Sequence, residues 1–190
     1  MLMRATPQQL VLVSGPPASG KSTLAAPLAS ELGFALLSKD RIKESLHDSL
    51  GGEVDLAWSR RLGGATMALL WMLAADMPAA VLEANFWSGD PLHQAHVDSL
   101  GITPVEVHCE CPIDECMRRY AERGPSRHAV HVEDHKARLS ADAFARCVEP
   151  VGLGPVVTVD TTRPVDVPAL AGEVRSLLAA SRLESPASPV

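Results

Sequence analysis

The chain has 190 residues and a formal net charge of −6 at pH 7. This length suits one domain with its own core, with or without a lid, and the content of 46 % hydrophobic and 21 % charged residues excludes a disordered chain. The acidic balance argues against a long nucleic acid or an anionic membrane as the main partner, because both require a basic face.

The compartment is predicted from the N-terminus, the apolar segments and the cysteines. The N-terminal stretch MLMRATPQQLVLVSG lacks a charged region followed by the long apolar segment of a secretion signal. The longest apolar stretch, residues 65–75, is shorter than the roughly 20 residues that cross a bilayer, so we expect a buried helix there. Reduced core thiols are favoured for Cys109, Cys111, Cys116 and Cys147, which lack paired CxxC spacing. We therefore expect a cytoplasmic protein without a membrane partner.

Short apolar runs alternate with longer segments of helical spacing, which is typical of a parallel sheet wrapped by helices. The predicted strands cover residues 10–14, 34–38, 79–84, 105–109 and 156–159. The predicted helices cover residues 21–32, 41–50, 91–100, 112–123, 132–148 and 165–182, with one or two more in 54–76, where Gly63-Gly64 is a possible break. We expect an α/β fold with five parallel strands, one domain over residues 1–183 and a disordered tail over 184–190.

The loop after the first strand carries the most specific motif. Its sequence GPPASGKS, residues 15–22, matches G-x-x-x-x-G-K-[ST] between a predicted strand and a predicted helix. The backbone amides of such a P-loop converge on phosphate oxygens at a helix N-terminus. The predicted triphosphate-binding residues are Gly15, Pro16, Pro17, Ala18, Ser19, Gly20, Lys21, Ser22 and Thr23. Within this set, Lys21 is placed to contact the β- and γ-phosphates and Ser22 a Mg²⁺ ion. The alternative is a Gly/Pro turn with an incidental lysine.

The end of the second strand indicates phosphoryl transfer. Asp40 follows that strand directly, at the sheet edge where ligands of doubly wound folds bind. A carboxylate there can accept the proton of an attacking hydroxyl, and Lys43 can offset developing charge and contact the substrate. The alternatives are a helix N-cap for Asp40 and a solvated helix face for Lys43.

The third strand ends in VLEANFW, residues 81–87. Glu83 takes the position of a carboxylate that contacts Mg²⁺ directly or through water. Asn85 and Trp87 are predicted to face the substrate cleft. The alternative for Glu83 is a buried carboxylate that Ser22 or backbone amides satisfy.

A lid is predicted at about residues 117–135, where arginines lead into a Gly/Pro-containing loop. Arginines on such a segment can neutralise transition-state charge and exclude water. Arg123 and Arg127 are the leading catalytic candidates, and Arg119 is a candidate for contacting the nucleotide, although a solvated helix also explains part of this pattern. We expect a solvated or capping role for His131 and His135, whose i, i+4 spacing could otherwise hold a metal. Thr161, after the fifth strand, lies where an adenine ring would rest.

Taken together, GPPASGKST, SKDRIKESL, VLEANF, CPIDECMRRYAERGPSRH and VDTT resemble the small P-loop kinases of the nucleoside monophosphate kinase-like group. The most similar branch carries the AAA label and is related to chloramphenicol phosphotransferase, zeta toxin and the kinase domain of phage polynucleotide kinase. The resemblance covers roughly residues 9–180 and implies a five-stranded parallel core, a helical lid, ATP and Mg²⁺, with Asp40 acting on a hydroxyl. Lys43 stands where this family often has arginine, and the chain lacks the sensor and arginine-finger signatures of ring-forming motors.

The expected activity is transfer of the γ-phosphoryl group of ATP to a hydroxyl of a small molecule, by a monomer or a homodimer. Two alternatives stay open. A 5′-hydroxyl polynucleotide kinase is disfavoured by the acidic balance, and a regulatory ATPase would transfer phosphate only to water.

Overall fold

The computed structural model describes residues 9–123, 127–131 and 147–184. Five strands are present in this part of the chain: β1 (Gln9–Ser14), β2 (Ala35–Ser38), β3 (Ala79–Glu83), β4 (Val105–Glu110) and β5 (Val156–Asp160). The helices are α1 (Lys21–Leu32), α2 (Lys39–Leu50), α3 (Leu56–Asp76), α4 (Pro91–Leu100), α5 (Ile113–Arg123) and α6 (Val167–Glu184). None of the helices in the described ranges is long and apolar enough to cross a membrane.

The strands form one parallel sheet in the order β2-β3-β1-β4-β5. This confirms the predicted α/β class and strand number. Because all strands run the same way, their carboxyl ends share one edge of the sheet, and the loops that follow β1, β2 and β3 start side by side.

Both faces of the sheet are covered by helices. Along β1, Val11 and Val13 pack in a cluster with α1 and α6, whereas Leu10 and Leu12 pack with α3 and α4 on the opposite face. Continuous apolar strands of this kind are typical of parallel sheets that are buried on both sides. The central strands therefore provide a rigid base for the loops at their carboxyl ends.

The helix α3 continues through Gly63-Gly64, where the sequence predicts a possible break. Leu62, Leu70 and Ala74 lie buried at helical spacing along it, and this packing outweighs the cost of about 1 kcal/mol for each glycine. Its N-terminus is capped by Asp55, whose side chain accepts a hydrogen bond of 2.7 Å from the amide of Trp58. The glycine pair is therefore part of one 21-residue helix.

The other predicted boundaries agree with the observed ones or differ by at most two residues. The helix α2 begins at Lys39 rather than at residue 41, which brings Asp40 into its first turn. All four cysteines are buried thiols outside any disulfide, as predicted. Of the helix predicted over 132–148, only Cys147 and Val148 are described, and they are helical. The predicted tail, apart from residue 184, also lies outside the described residues.

Candidate active site

The loop between β1 and α1 has the backbone geometry that its glycines predict. Gly15 has a φ of 128°, and a Cβ atom there would lie 2.5 Å from the carbonyl oxygen of Cys109 and 2.8 Å from Ser19 Oγ. Gly20 has a φ of 93° and forms the N-terminal boundary of α1. Only glycine combines these dihedral angles with such close packing at position 15. The loop is consequently wrapped around the N-terminus of α1, where amides and the helix dipole favour an anion.

Lys21 lies inside this loop and is 6 % exposed. Its Nζ donates hydrogen bonds to the carbonyl oxygens of Gly15, at 2.8 Å, and Pro16, at 2.7 Å. Burial lowers the pKa of Lys21, while the nearby carboxylate of Glu83 acts in the opposite direction. The ammonium group is thus held at the centre of the loop, beside the position of a bound phosphate chain.

The loop also contains an unsatisfied polar atom. Ser19 Oγ is fully buried and has no hydrogen-bond partner among the described residues. In folded proteins, buried hydroxyl groups almost always have a hydrogen-bond partner. An unpaired hydroxyl inside a ring of backbone amides fits a loop that closes around a ligand rich in oxygen atoms, as the phosphates of ATP are.

A carboxylate bridges the ends of β2 and β3 to α1. Glu83 is 4 % exposed, and its Oε1 accepts a hydrogen bond of 2.9 Å from Ser22 Oγ. Its Oε2 accepts one of 2.6 Å from Ser38 Oγ, the residue paired with Glu83 in the sheet register. This is the buried arrangement that the sequence left as the alternative for Glu83. Hydroxyl and carboxylate oxygens are also the ligands that Mg²⁺ prefers, so Ser22 and Glu83 fit the ion chemically.

A cleft of about 640 Å³ opens beside these residues, at the carboxyl edge of the sheet. Its walls come from the P-loop, α2, the end of β3, α5 and the loop that follows α5. Of the residues predicted from the sequence, it brings together Pro17, Ala18, Gly20, Lys21, Ser22, Asp40, Glu83, Asn85, Arg123 and Arg127. Asp40 therefore faces the same space as the phosphate-binding loop.

Two predicted substrate residues are not in the lining of this cleft. Lys43 is 5 % exposed and points to α3, where its Nζ donates a hydrogen bond of 2.7 Å to Ser59 Oγ. Its contact with Ser59 places the side chain where α2 packs against α3, so the alternative of a solvated helix face is wrong as well. Trp87 is 44 % exposed and lies past the end of β3, outside the cleft lining. The predicted positions of Lys43 and Trp87 are therefore corrected.

A second cavity, of about 620 Å³, lies against the first turns of α1. Gly20, Thr23, Arg119, Arg123 and Thr161 are among its lining residues. It has the position expected for the base of a nucleotide whose phosphates lie in the P-loop. Arg123 lines both cavities and so stands between the two regions.

Two side chains connect this cavity to the P-loop. Thr161 Oγ1 donates hydrogen bonds to the carbonyl oxygens of Ser19, at 2.6 Å, and Glu110, at 2.9 Å. Arg119 donates to Glu115 at 2.7 Å and to the carbonyl oxygen of Thr161 at 3.2 Å. The loop after β5 is thereby fixed against the P-loop by contacts between distant parts of the chain.

The predicted lid arginines have different surroundings. Arg127 donates a hydrogen bond of 2.6 Å to the hydroxyl of Tyr120, and its guanidinium lies 4.9 Å from the centre of that ring. Arg118, in contrast, is exposed and pairs with Glu115 and Glu122 along α5, which is the solvated arrangement. Arg127 and Arg123 are thus the arginines of this group that line the cleft.

Glu44 and His131 are among the cleft residues that sequence reasoning missed. The Nε2 of His131 lies 2.7 Å from Glu44 Oε1, and the His131 side chain is 5 % exposed, so the expected solvated role is wrong for this histidine. Its companion, His135, lies outside the described residues. The available signal was the i, i+4 spacing of Asp40 and Glu44, which puts both carboxylates on one face of α2.

The comparisons with known proteins agree with this geometry. A protein-family model described as "AAA domain" matches residues 10–147. A cytidylate kinase of Ignicoccus hospitalis is 48 % identical over 173 residues, and the match covers 81 % of this chain and 96 % of the relative.

Two similar solved structures also carry the names of kinases. A protein named "putative kinase" from Chloroflexus aurantiacus is 33 % identical with a TM-score of 0.76, over 90 % of this chain and 98 % of the other. A shikimate kinase of Acinetobacter baumannii, 16 % identical with a TM-score of 0.56, shares the fold over 93 % of this chain and 96 % of its own. P-loop kinases of this type use ATP. The chain belongs to the AAA domain family and is a small P-loop kinase.

Proposed function

We propose that the protein transfers the γ-phosphoryl group of ATP to a hydroxyl of a small molecule, with Mg²⁺ bound at Ser22 and Glu83. The observation that carries the proposal is that Asp40 and the P-loop residue Lys21 line one cleft. A nucleotide-binding loop alone fits hydrolysis as well as transfer. A carboxylate that faces the same space supplies the base that a hydroxyl acceptor needs.

In the proposed mechanism, the acceptor hydroxyl lies between Asp40 and the γ-phosphorus. Its oxygen forms the new bond to phosphorus, the bond from phosphorus to the leaving oxygen of ADP breaks, and Asp40 takes the hydroxyl proton. Lys21 moves its hydrogen bonds from the carbonyl oxygens of Gly15 and Pro16 to the phosphates. When bound, Mg²⁺ offsets negative charge on the phosphate oxygens.

Arg123 and Arg127 act from the opposite wall. Both line the cleft, and Arg123 also reaches the cavity proposed for the nucleotide base. Their guanidinium groups stabilise the charge on the γ-phosphoryl oxygens as the bond to ADP breaks. Asn85, at the end of β3, is within the acceptor side of the cleft and contributes a hydrogen bond to the substrate.

A second candidate is a nucleoside monophosphate acceptor. The observation that favours it is the 48 % identity to a protein named cytidylate kinase. In that reaction a phosphate oxygen attacks instead of a hydroxyl, and the acceptor carries its own negative charge. No general base is then required, so the effect of removing Asp40 separates the two candidates.

The test of the proposed function is Asp40→Asn. We expect acceptor-dependent ADP release to fall by about 10²–10⁴-fold, because the amide cannot take the proton, while ATP binding measured by calorimetry stays within a factor of about two. Product formation is followed by ³¹P NMR with a panel of hydroxyl compounds and nucleotides. Asp48→Asn, on the same helix and outside the cleft lining, is the matched control. Near-normal turnover by Asp40→Asn would refute the base assignment.

A further inference from the structure

The acceptor side of the cleft contains a second carboxylate beside Asp40. Glu44 lies one helical turn after Asp40 on α2 and lines the same cleft. Residues at this spacing have Cβ atoms about 6 Å apart on one helix face. One small molecule with two hydroxyl groups can therefore reach both carboxylates, with one hydroxyl on each.

His131 holds Glu44 from the other side of the cleft. Its Nε2 lies 2.7 Å from Glu44 Oε1, and its side chain is 5 % exposed, against 35 % for Glu44. The hydrogen-bonded atom of His131 is the donor, because an ionised carboxylate can only accept. The buried ring therefore orients a carboxylate that solvent and ligands can reach.

The charge of Glu44 is not cancelled by this contact. Burial lowers the pKa of His131, and the positive charges of Lys43 and Arg127 act in the same direction, whereas Asp40 and Glu44 oppose them. The ring is consequently neutral at pH 7, and the His131–Glu44 pair keeps its negative charge. It attracts hydrogen-bond donors and repels phosphate groups.

Most cationic side chains that line the described cleft come from elements other than α2. Lys43, which could have neutralised a phosphate on the acceptor, is directed away from the cleft to Ser59. Arg123 belongs to α5, and Arg127 belongs to the loop after α5 that also carries His131. From α2, the cleft receives one arginine, Arg41, together with the carboxylates of Asp40 and Glu44. The α2 wall therefore has an excess of negative charge.

We propose that the acceptor is an uncharged polyhydroxyl compound that binds across Asp40 and Glu44, an inference that rests on the proposed function. Its reacting hydroxyl lies against Asp40, and a neighbouring hydroxyl donates a hydrogen bond to Glu44. His131 is a positioning residue that holds Glu44 in the receiving orientation. Glu44 takes no part in bond formation, so its loss affects binding of the acceptor more than the chemical step.

The first experiment compares neutral hydroxyl compounds with phosphorylated forms of two of them. The full-length protein is given ATP, Mg²⁺ and, in turn, cytidine, CMP, D-ribose, D-ribose 5-phosphate and myo-inositol, and phosphorylated products are measured by ³¹P NMR. We expect transfer to at least one neutral polyol, with each phosphorylated partner at least 10-fold less efficient as an acceptor. A preference for CMP or D-ribose 5-phosphate would overturn this inference and leave P-loop phosphoryl transfer intact. ADP release by hydrolysis alone across the panel would overturn the proposed function and this inference with it.

The second experiment uses the accepted polyol and two variants. Glu44→Ala should raise the KM for the polyol by about 10–100-fold, with kcat changed by less than about threefold, because one charge-assisted hydrogen bond is lost. Asp48→Asn is the control. Asp48 is on the same helix as Glu44 and makes a similar contact of 3.0 Å with His128, but it does not line the cleft. An unchanged KM in Glu44→Ala would overturn the inference.

The role of His131 is tested by a double-mutant cycle. His131→Asn alone should raise the KM for the polyol, but it should add little in the Glu44→Ala background, because it acts through Glu44. Thermal unfolding of each variant shows that it is folded. Independent, additive effects of the two substitutions would refute a positioning role.

Discussion

Glu106 is the most deeply buried carboxylate of the described chain, and its removal gives a quantitative prediction. It lies on β4, is 0 % exposed, and accepts backbone hydrogen bonds from Val151 at 2.8 Å and Gly152 at 3.0 Å. The hydroxyl of Ser14, directly before the P-loop, also donates to it. Glu106 therefore joins the segment after residue 147 to the strand that leads into the P-loop.

The expected cost of Glu106→Ala follows from these contacts. Two buried backbone amides and one hydroxyl lose their acceptor, at about 1–3 kcal/mol for each group that stays unsatisfied. We expect the free energy of unfolding to fall by about 3–5 kcal/mol, the range for removing one partner of a buried charged interaction. Urea denaturation followed by circular dichroism measures this difference, and exposed Glu110 on the same strand, changed to Gln, should stay within about 0.5 kcal/mol of the unmodified protein.

The same network makes the stability depend on pH. Burial alone would raise the pKa of Glu106, but interactions with His108, Ser14 and the amides of Gly152 and Val151 outweigh it, and the pKa is lowered. A carboxyl group whose pKa is lower in the folded than in the unfolded state contributes stability above the unfolded value of about 4.3. The stability difference between the unmodified protein and Glu106→Gln should therefore be complete at pH 7 and decrease as the pH falls below about 4.3.

Two results would refute this reasoning. One is a loss of less than about 1 kcal/mol in Glu106→Ala, since that is below the cost of a single unsatisfied buried group. The other is a stability difference for Glu106→Gln that is constant from pH 7 to pH 3, because the contribution of an ionised Glu106 must disappear on protonation.

Two further predictions concern the nucleotide site. Gly15→Ala should weaken ATP binding at least 10-fold in calorimetry, because a Cβ atom would lie 2.5 Å from the carbonyl oxygen of Cys109. The control Gly101→Ala, where a Cβ atom would have no atom within 4 Å, should lower only stability. Equal ATP affinities of the two variants would contradict the steric reasoning. Arg119→Ala should raise the KM for ATP several-fold with little change in kcat, since Arg119 lines the cavity proposed for the base and is hydrogen-bonded to Thr161; an unchanged KM would exclude that cavity as the base site.

Several features of the site were predictable because they depend on neighbouring residues. The P-loop requires glycines at positions 15 and 20 and a lysine at the start of α1, and this pattern is complete within eight consecutive residues. The apolar runs predict the parallel strands, since central strands of such sheets are buried on both faces. Glu83 and Asp40 follow from their positions at strand ends, because parallel strands bring these ends to one edge.

The directions of the side chains on α2 were harder to predict from the sequence. An α-helix turns by about 100° per residue, so the adjacent residues Lys43 and Glu44 of α2 point in different directions, and the local sequence does not say which of them faces the cleft. Lys43 was expected at the substrate but packs towards α3, while Glu44, one residue later, lines the cleft. Packing between α2 and α3 determines this rotation, and such packing is not encoded in a local pattern.

By itself, the sequence determined the fold class, the phosphate-binding loop and the carboxylate that follows β2, because each depends on short-range backbone preferences and on hydrophobic periodicity. Only the tertiary structure decided which residues share the cleft. His131 and Glu44 are 87 positions apart, and Glu106 and Val151 are 45 apart. Contacts of this kind form when helices and loops pack onto the finished sheet, and the physical reason is that burial and hydrogen bonding over the whole chain, rather than local propensity, select them.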